Sequence, residues 1–211
     1  MASSGSLLKW FTNEFCQYED KIIKKDNNSI YDFMSNKAKD IPPGSNGVII
    51  LPYFLGAKTP LHNPQAKGVI YGLGLHHKKE NIYRAIMEAV AYGFRHHIEI
   101  LKELNLNIKK VIATDGGAKS QVWRQITADV LGEDIYHIKE HTGSSLGAAF
   151  VAGKGINIFD NWDEIDKFIE IDSVTEPIEE NHKLYNKYYK LFREIYNNLE
   201  ESFIKLDDIK N

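Results

Sequence analysis

The chain has 211 residues, with 26 Lys or Arg against 29 Asp or Glu, a formal net charge of −3 and a hydrophobic fraction of 43%. That length suits one domain, or two small ones, with enough chain for a proper core, the charge balance excludes a polybasic nucleic-acid binder, and the one cysteine, Cys16, excludes a disulfide framework or a Cys-rich zinc site. Apolar runs such as Val48-Ile49-Ile50-Leu51 fall far short of the ~20 residues that span a bilayer, and the first residues lack a cationic, then apolar, leader pattern, so a soluble, cytoplasmic chain with no membrane partner is expected.

Residues 6–39 read as helical. Leu7, Leu8, Trp10, Phe11 and Phe15 form one stripe, Asp26-Asn27-Asn28-Ser29 supplies a turn, and Ile30, Phe33 and Met34 restart the pattern with Ser29 as N-cap. Pro42-Pro43-Gly44-Ser45 breaks the chain. Residues 47–53 are short, β-branched and apolar on both faces, which predicts a buried strand. An ordered loop covers 55–64, and a second strand covers 68–73. The spacing predicts a helix over 81–104, with apolar positions from Ile82 through Ala89, Val90, Phe94, His97 and Leu101 to Leu104. A strand at 110–114 runs into Asp115-Gly116-Gly117, and a helix is predicted from 118 to 131, closed by Gly132. A strand at 135–138, a small-residue helix over 144–153, a short helix over 161–168 and a long helix over 178–203 complete the reading. The strand–helix alternation argues for an α/β fold, a mixed sheet flanked by helices, with the long helix at the C-terminus.

The stretch with most chemical content is Val111-Ile112-Ala113-Thr114-Asp115-Gly116-Gly117-Ala118-Lys119-Ser120. A strand enters two glycines and a helix follows. Helix N-termini present free N–H donors and a positive dipole end, and glycines remove the Cβ atoms that keep an anion at a distance. The bare pattern therefore reads as a phosphate-binding turn, or as a tight turn in which glycine is needed for positive φ. GxxxxGK followed by Ser or Thr is absent, which argues against a P-loop. Gly72-Leu73-Gly74 begins a GxG, but His77 stands where a third glycine belongs.

Several blocks together resemble the FGGY carbohydrate kinases. Residues 68–73, then seven residues, then Asn81-Ile82-Tyr83-Arg84-Ala85-Ile86-Met87-Glu88 are similar to the family's second signature. Residues 51–60 are similar to its LPYLxGExTP block, with Ala57 in place of the glutamate. Asp115 to Ser120, with Trp123-Arg124-Gln125-Ile126 and Ala128-Asp129, resembles its GGGAKSxxWxQIxAD adenosine motif. Residues 143–153 resemble its small-residue ALGAAxxAG helix, and the tyrosines of 184–199 resemble the tail of xylulose-kinase-like members.

The resemblance implies a lobe of the actin-like ATPase type, with an RNase-H-like fold. In such kinases two lobes enclose ATP, and the γ-phosphate passes to a sugar or polyol hydroxyl, here most closely a pentulose such as xylulose. Residues 1–211 are expected to be the C-terminal lobe as one domain. The family's DxGT phosphate turn and its GxxD catalytic aspartate belong upstream, and neither motif occurs here, so no catalytic residue is assigned to this chain. The implied ligands are ATP, Mg²⁺ and the sugar, and the implied partners are the N-terminal lobe and a second copy of the chain. Alone, the chain is expected to bind nucleotide weakly without turnover. By position, Gly116 and Gly117 run beside the α-phosphate and ribose, Ala118 and Ser120 complete the motif, and Gln121 stands where some members place an asparagine on the nucleotide. Asp115 replaces the first glycine of the usual three. It reads either as a contact to nucleotide or Mg²⁺-bound water, or as the N-cap of the following helix. Asp115-Gly116-Gly117 also suits a glycerol or other polyol kinase, and a non-catalytic regulatory or assembly lobe is a further alternative. His76-His77 and His96-His97 lack a metal-ligand pattern, His97 lies in the apolar stripe, and Cys16 reads as a buried structural thiol.

Overall fold

The computed structural model describes residues 4–23, 29–139 and 143–210. Its helices are α1 (Ser4–Phe15), α2 (Gln17–Ile23), α3 (Ile30–Lys39), α4 (Lys79–Glu103), the single turn α5 (Asp115–Ala118), α6 (Gln121–Leu131), α7 (Gly143–Gly155) and α8 (Glu179–Lys210). The strands are β1 (Ile49–Leu51), β2 (Val69–Tyr71), β3 (Val111–Ala113), β4 (Ile135–Ile138) and β5 (Ile171–Thr175). Ser29 caps α3 as expected, its hydroxyl accepting from the Tyr31 N–H at 3.2 Å. Most of the turn expected at 26–29 lies outside the described residues.

α4 is the organising element. Residues from Tyr83 to Tyr92 are buried without interruption, so this part is covered on every side rather than along one stripe. α1, α3 and α6 pack against it, and β1 packs against both α4 and α8. This explains why Ile49, Ile50 and Leu51 are all buried. β1 pairs with β2 in an antiparallel ribbon of its own, Ile50 opposite Ile70. Along α8, Tyr185, Tyr189, Phe192 and Tyr196 enter the same core. The Phe192 ring lies 5.2 Å from that of Tyr92.

The second sheet has the order β3-β4-β5. β3 and β4 run parallel with α5 and α6 as their crossover, and β5 returns antiparallel with a register shift at His137/Ile138. This mixed sheet, the covering helices and the long α8 match the expected architecture. Three details differ. The 118–131 helix is two pieces, α5 and α6. The 161–168 helix is a 3₁₀ segment, Trp162–Phe168. β5 was not predicted at all.

Candidate nucleotide cleft

β3 ends at Ala113 and the chain turns at once into α5, with Thr114 in extended geometry at the N-cap position. Asp115 is therefore the first helical residue, which corrects its reading as an N-cap; its side chain lies outside the described residues. The longer helix α6 starts only at Gln121. Ser120 caps it, the hydroxyl accepting from the Trp123 N–H at 3.3 Å, while the Ser120 carbonyl accepts from the Arg124 N–H at 3.0 Å. Ser120 precedes Val122, Trp123 and Ile126 in the way an N-cap precedes an apolar run, and that pattern is the signal for the break. The Trp123 indole N–H donates to the Met87 carbonyl at 3.2 Å, which fastens the turn to α4. The Arg124 guanidinium donates to the Ala118 carbonyl.

The two glycines have different reasons to be glycine. Neither has positive φ, so the tight-turn reading does not account for them. A Cβ on Gly117 would come within 3.1 Å of the Trp123 ring, whereas a Cβ on Gly116 would meet nothing within 4 Å. Packing explains Gly117 and leaves Gly116 facing open space.

Immediately after this turn, Lys119, Ser120 and Gln121 line a cleft of about 640 Å³. α6 forms one wall. One face of α3 and the segment after it form the other, with Asp32, Asn36, Lys39, Asp40 and Pro42. Arg84 of α4, Asp129 of α6 and Asn181 of α8 also line it. Gly116, Gly117 and Ala118 lie one turn upstream of the lining residues. The sequence reading missed the α3 wall, because Asp32, Asn36 and Lys39 recur at helical spacing like any solvated face.

Two buried carboxylates tie these walls together. Glu88 is 1% exposed. Its Oε1 accepts from the Gly44 N–H at 3.0 Å, Arg84 Nε at 2.9 Å and the Tyr185 hydroxyl at 2.8 Å, and its Oε2 accepts from the Ser45 hydroxyl at 2.9 Å. Arg84 also donates to the Ala38 carbonyl at 3.1 Å and to the Tyr185 oxygen at 3.0 Å. Burial pushes the Glu88 carboxyl up from its usual range, and the Arg84 charge and the surrounding donors oppose that shift. Burial and the neighbouring Glu88 push the Tyr185 phenol far above its ordinary value. Gly44 has φ +81°, and a Cβ there would lie 2.1 Å from the Tyr188 ring, so both its conformation and its contact with α8 require glycine. The second carboxylate, Asp129, accepts from Gln125 Nε2, the Ile178 N–H and Asn181 Nδ2, each at 2.8 Å.

Elsewhere, His96 is the buried member of its pair, which corrects the placement of His97 in the apolar stripe. His97 is half-buried, its Nδ1 2.7 Å from the Gly93 carbonyl. Cys16 is buried, as expected. Among the described residues, no group of three or more His, Cys, Asp or Glu side chains is placed to hold a metal ion, and no helix is long and apolar enough to cross a membrane.

A family model for the C-terminal domain of the FGGY family of carbohydrate kinases matches residues 1–156. A xylulose kinase of Staphylococcus epidermidis is 30% identical over 210 residues, 99% of this chain and 40% of the relative. A gluconokinase of Bacillus licheniformis is 30% identical over 205 residues, 97% of this chain and 40% of the relative. Among solved structures, xylulose kinase from Rhodospirillum rubrum superposes with a TM-score of 0.79 at 32% identity, covering 96% of this chain and 39% of that one. The chain thus spans about 40% of the length of the curated relatives it matches. The mixed sheet and the long α8 accord with an actin-like ATPase lobe, and the chain belongs to the FGGY family of carbohydrate kinases through their C-terminal domain.

Proposed function

We propose that this chain is the nucleotide-binding C-terminal lobe, folded as one domain, of an ATP-dependent sugar kinase. The carrying observation is Gly116. Neither backbone conformation nor packing asks for glycine there, and it stands three residues before Lys119, the first residue of this segment to line the cleft. A position kept free of a side chain for no internal reason suits close approach by an external group, and peptide N–H groups at such turns favour phosphate.

On this reading Gly116 and Gly117 run beside the phosphate end of the adenosine, with Ala118 and Asp115 completing the turn. Ser120 fixes the start of α6, and Gln121, exposed at its first position, contacts the nucleotide. ATP supplies the phosphoryl group, and Mg²⁺ enters with its phosphates. The work of this chain is to bind and orient. Phosphoryl transfer also needs a grip on the β- and γ-phosphates and a base at the acceptor hydroxyl, which we assign to an N-terminal lobe. The isolated chain is therefore expected to bind nucleotide without turnover, to operate in the cytoplasm and to self-associate through its exposed apolar surface. The acceptor class is a sugar or polyol, with a pentulose such as xylulose favoured by the relatives. The gluconokinase relative, at the same 30% identity, makes a sugar acid the second reading.

The test is Gly116→Val, measured by calorimetric titration with ADP and by urea unfolding. The side chain enters open space, so the unfolding midpoint should stay at the wild-type value, while ADP affinity falls about tenfold or more (about 1.4 kcal/mol). Wild-type affinity in the variant would overturn the assignment of the turn.

A further inference from the structure

We infer that Tyr185 is a positioning residue for the cleft, because one turn of α8 holds both cleft walls and so sets the distance between them. This rests on the nucleotide reading above for its functional consequence, though not for its geometry.

The α3 wall is held through Arg84 and Glu88. Arg84 donates to the Ala38 carbonyl at 3.1 Å, and Glu88 takes the Gly44 N–H at 3.0 Å and the Ser45 hydroxyl at 2.9 Å. The Tyr185 hydroxyl joins these two side chains, accepting from Arg84 at 3.0 Å and donating to Glu88 at 2.8 Å. The α6 wall is held through Asp129, which accepts from Asn181 Nδ2 at 2.8 Å and whose carbonyl oxygen lies 2.9 Å from His182 Nδ1. Asn181 and Tyr185 are four residues apart on α8, so they share a face one turn apart. Arg84, Asp129 and Asn181 all line the cleft.

Burying a carboxylate and a guanidinium together is a poor way to gain stability, since apolar replacements of like volume often do as well. Directional bonds do constrain where the walls stand. An affinity that depends on a preformed cleft then depends on the latch, since any reorganisation is subtracted from binding.

The experiment uses pulsed electron resonance between spin labels at Lys37→Cys and Gln121→Cys, with ADP affinity measured on unlabelled protein. Cys16 is buried and does not compete for label. Tyr185→Phe keeps the ring and removes only the hydroxyl. It should shift or broaden the distance distribution across the cleft and weaken ADP about tenfold while the protein remains folded. Tyr196→Phe is the control. It removes a hydroxyl on the same helix that bonds Asn63 and Glu200 away from the cleft, and should leave the distribution unchanged. If Tyr185→Phe does not fold, Asn181→Ala cuts the other latch at a part-buried position and carries the same expectation. A wild-type distribution in the folded latch variant, or an equal change in Tyr196→Phe, overturns the inference. Absence of ADP binding by the wild type, with the distance change intact, overturns the nucleotide reading instead.

Discussion

Around α4 and α8 one continuous core runs from Leu7 to Phe203, whereas, among the described residues, the cluster backing the β3-β4-β5 sheet has only Ala128, Leu131 and Ile135 as buried members. α7 leaves Val151 exposed, and Ile156, Ile158, Trp162 and Phe168 follow it into solvent. Among the described residues β3 has a neighbour on one side only. The helical half closes on itself, with aromatic rings on its α8 side and Arg84, Glu88 and Tyr185 bonded to one another inside it. The sheet half keeps apolar surface that a partner would cover. The cleft lies where the closed half meets α6, so its shape is carried by the better-packed part of the molecule.

The comparison can be broken with matched deletions. Phe192→Ala in the closed half should cost about 3–5 kcal/mol, read as a lower urea midpoint. Phe150→Ala should cost only about 1–2 kcal/mol, because its stacking partner Phe159, 4.5 Å away, and the exposed Trp162 can settle into the space. Equal losses would mean that the two halves are packed alike.

The closed half should also be the acid-sensitive one. Burial first, and the Arg193 charge second, lower the His96 imidazole to about 4, against opposition from Glu99; His97 adds a smaller lowering effect. The unfolded chain takes up that proton near its ordinary value of about 6.5, before the native chain does. The contribution is complete above pH 6.5 and disappears as the pH falls toward 4, with a size on the order of 1–2 kcal/mol. Urea midpoints at pH 7 and pH 5 measure it, and His96→Gln should flatten the difference. A smaller effect belongs to the junction between the halves. Ser120→Ala removes the α6 cap and should cost about 1 kcal/mol, seen as faster amide exchange at Trp123 without change in α8.

The long periodic elements were legible in the sequence. α4 appears close to its predicted limits, α8 starts where expected but runs on to Lys210, past the predicted end at 203, and Ser29 caps α3, because helical spacing and cap chemistry are local. The face of α4 was less legible. One stripe drawn from Ile82 to Leu104 places His97 inside, but residues 83–92 are buried all round, and beyond them the buried side turns to include His96 while Phe94 is exposed. Only tertiary neighbours decide that. β5 was missed because Asp172, Ser173 and Thr175 make half of it polar, as an edge strand tolerates. Of the site, the glycine turn was visible through its residue types, and Ser120 and Gln121 do line the cleft. The α3 wall and Asn181 were not visible, since concavity comes from four helices that are far apart in sequence.

The α8 latch also bears on how the chain is made. Tyr185 bonds partners 101 and 97 residues earlier, and Tyr196 meets Asn63 across 133 residues. A ribosome that has delivered everything up to β5 has therefore delivered both cleft walls but none of the α8 side chains that bond them. Until α8 clears the exit tunnel, Arg84 and Glu88 lack their α8 partner, so the cleft is complete only once that helix has emerged.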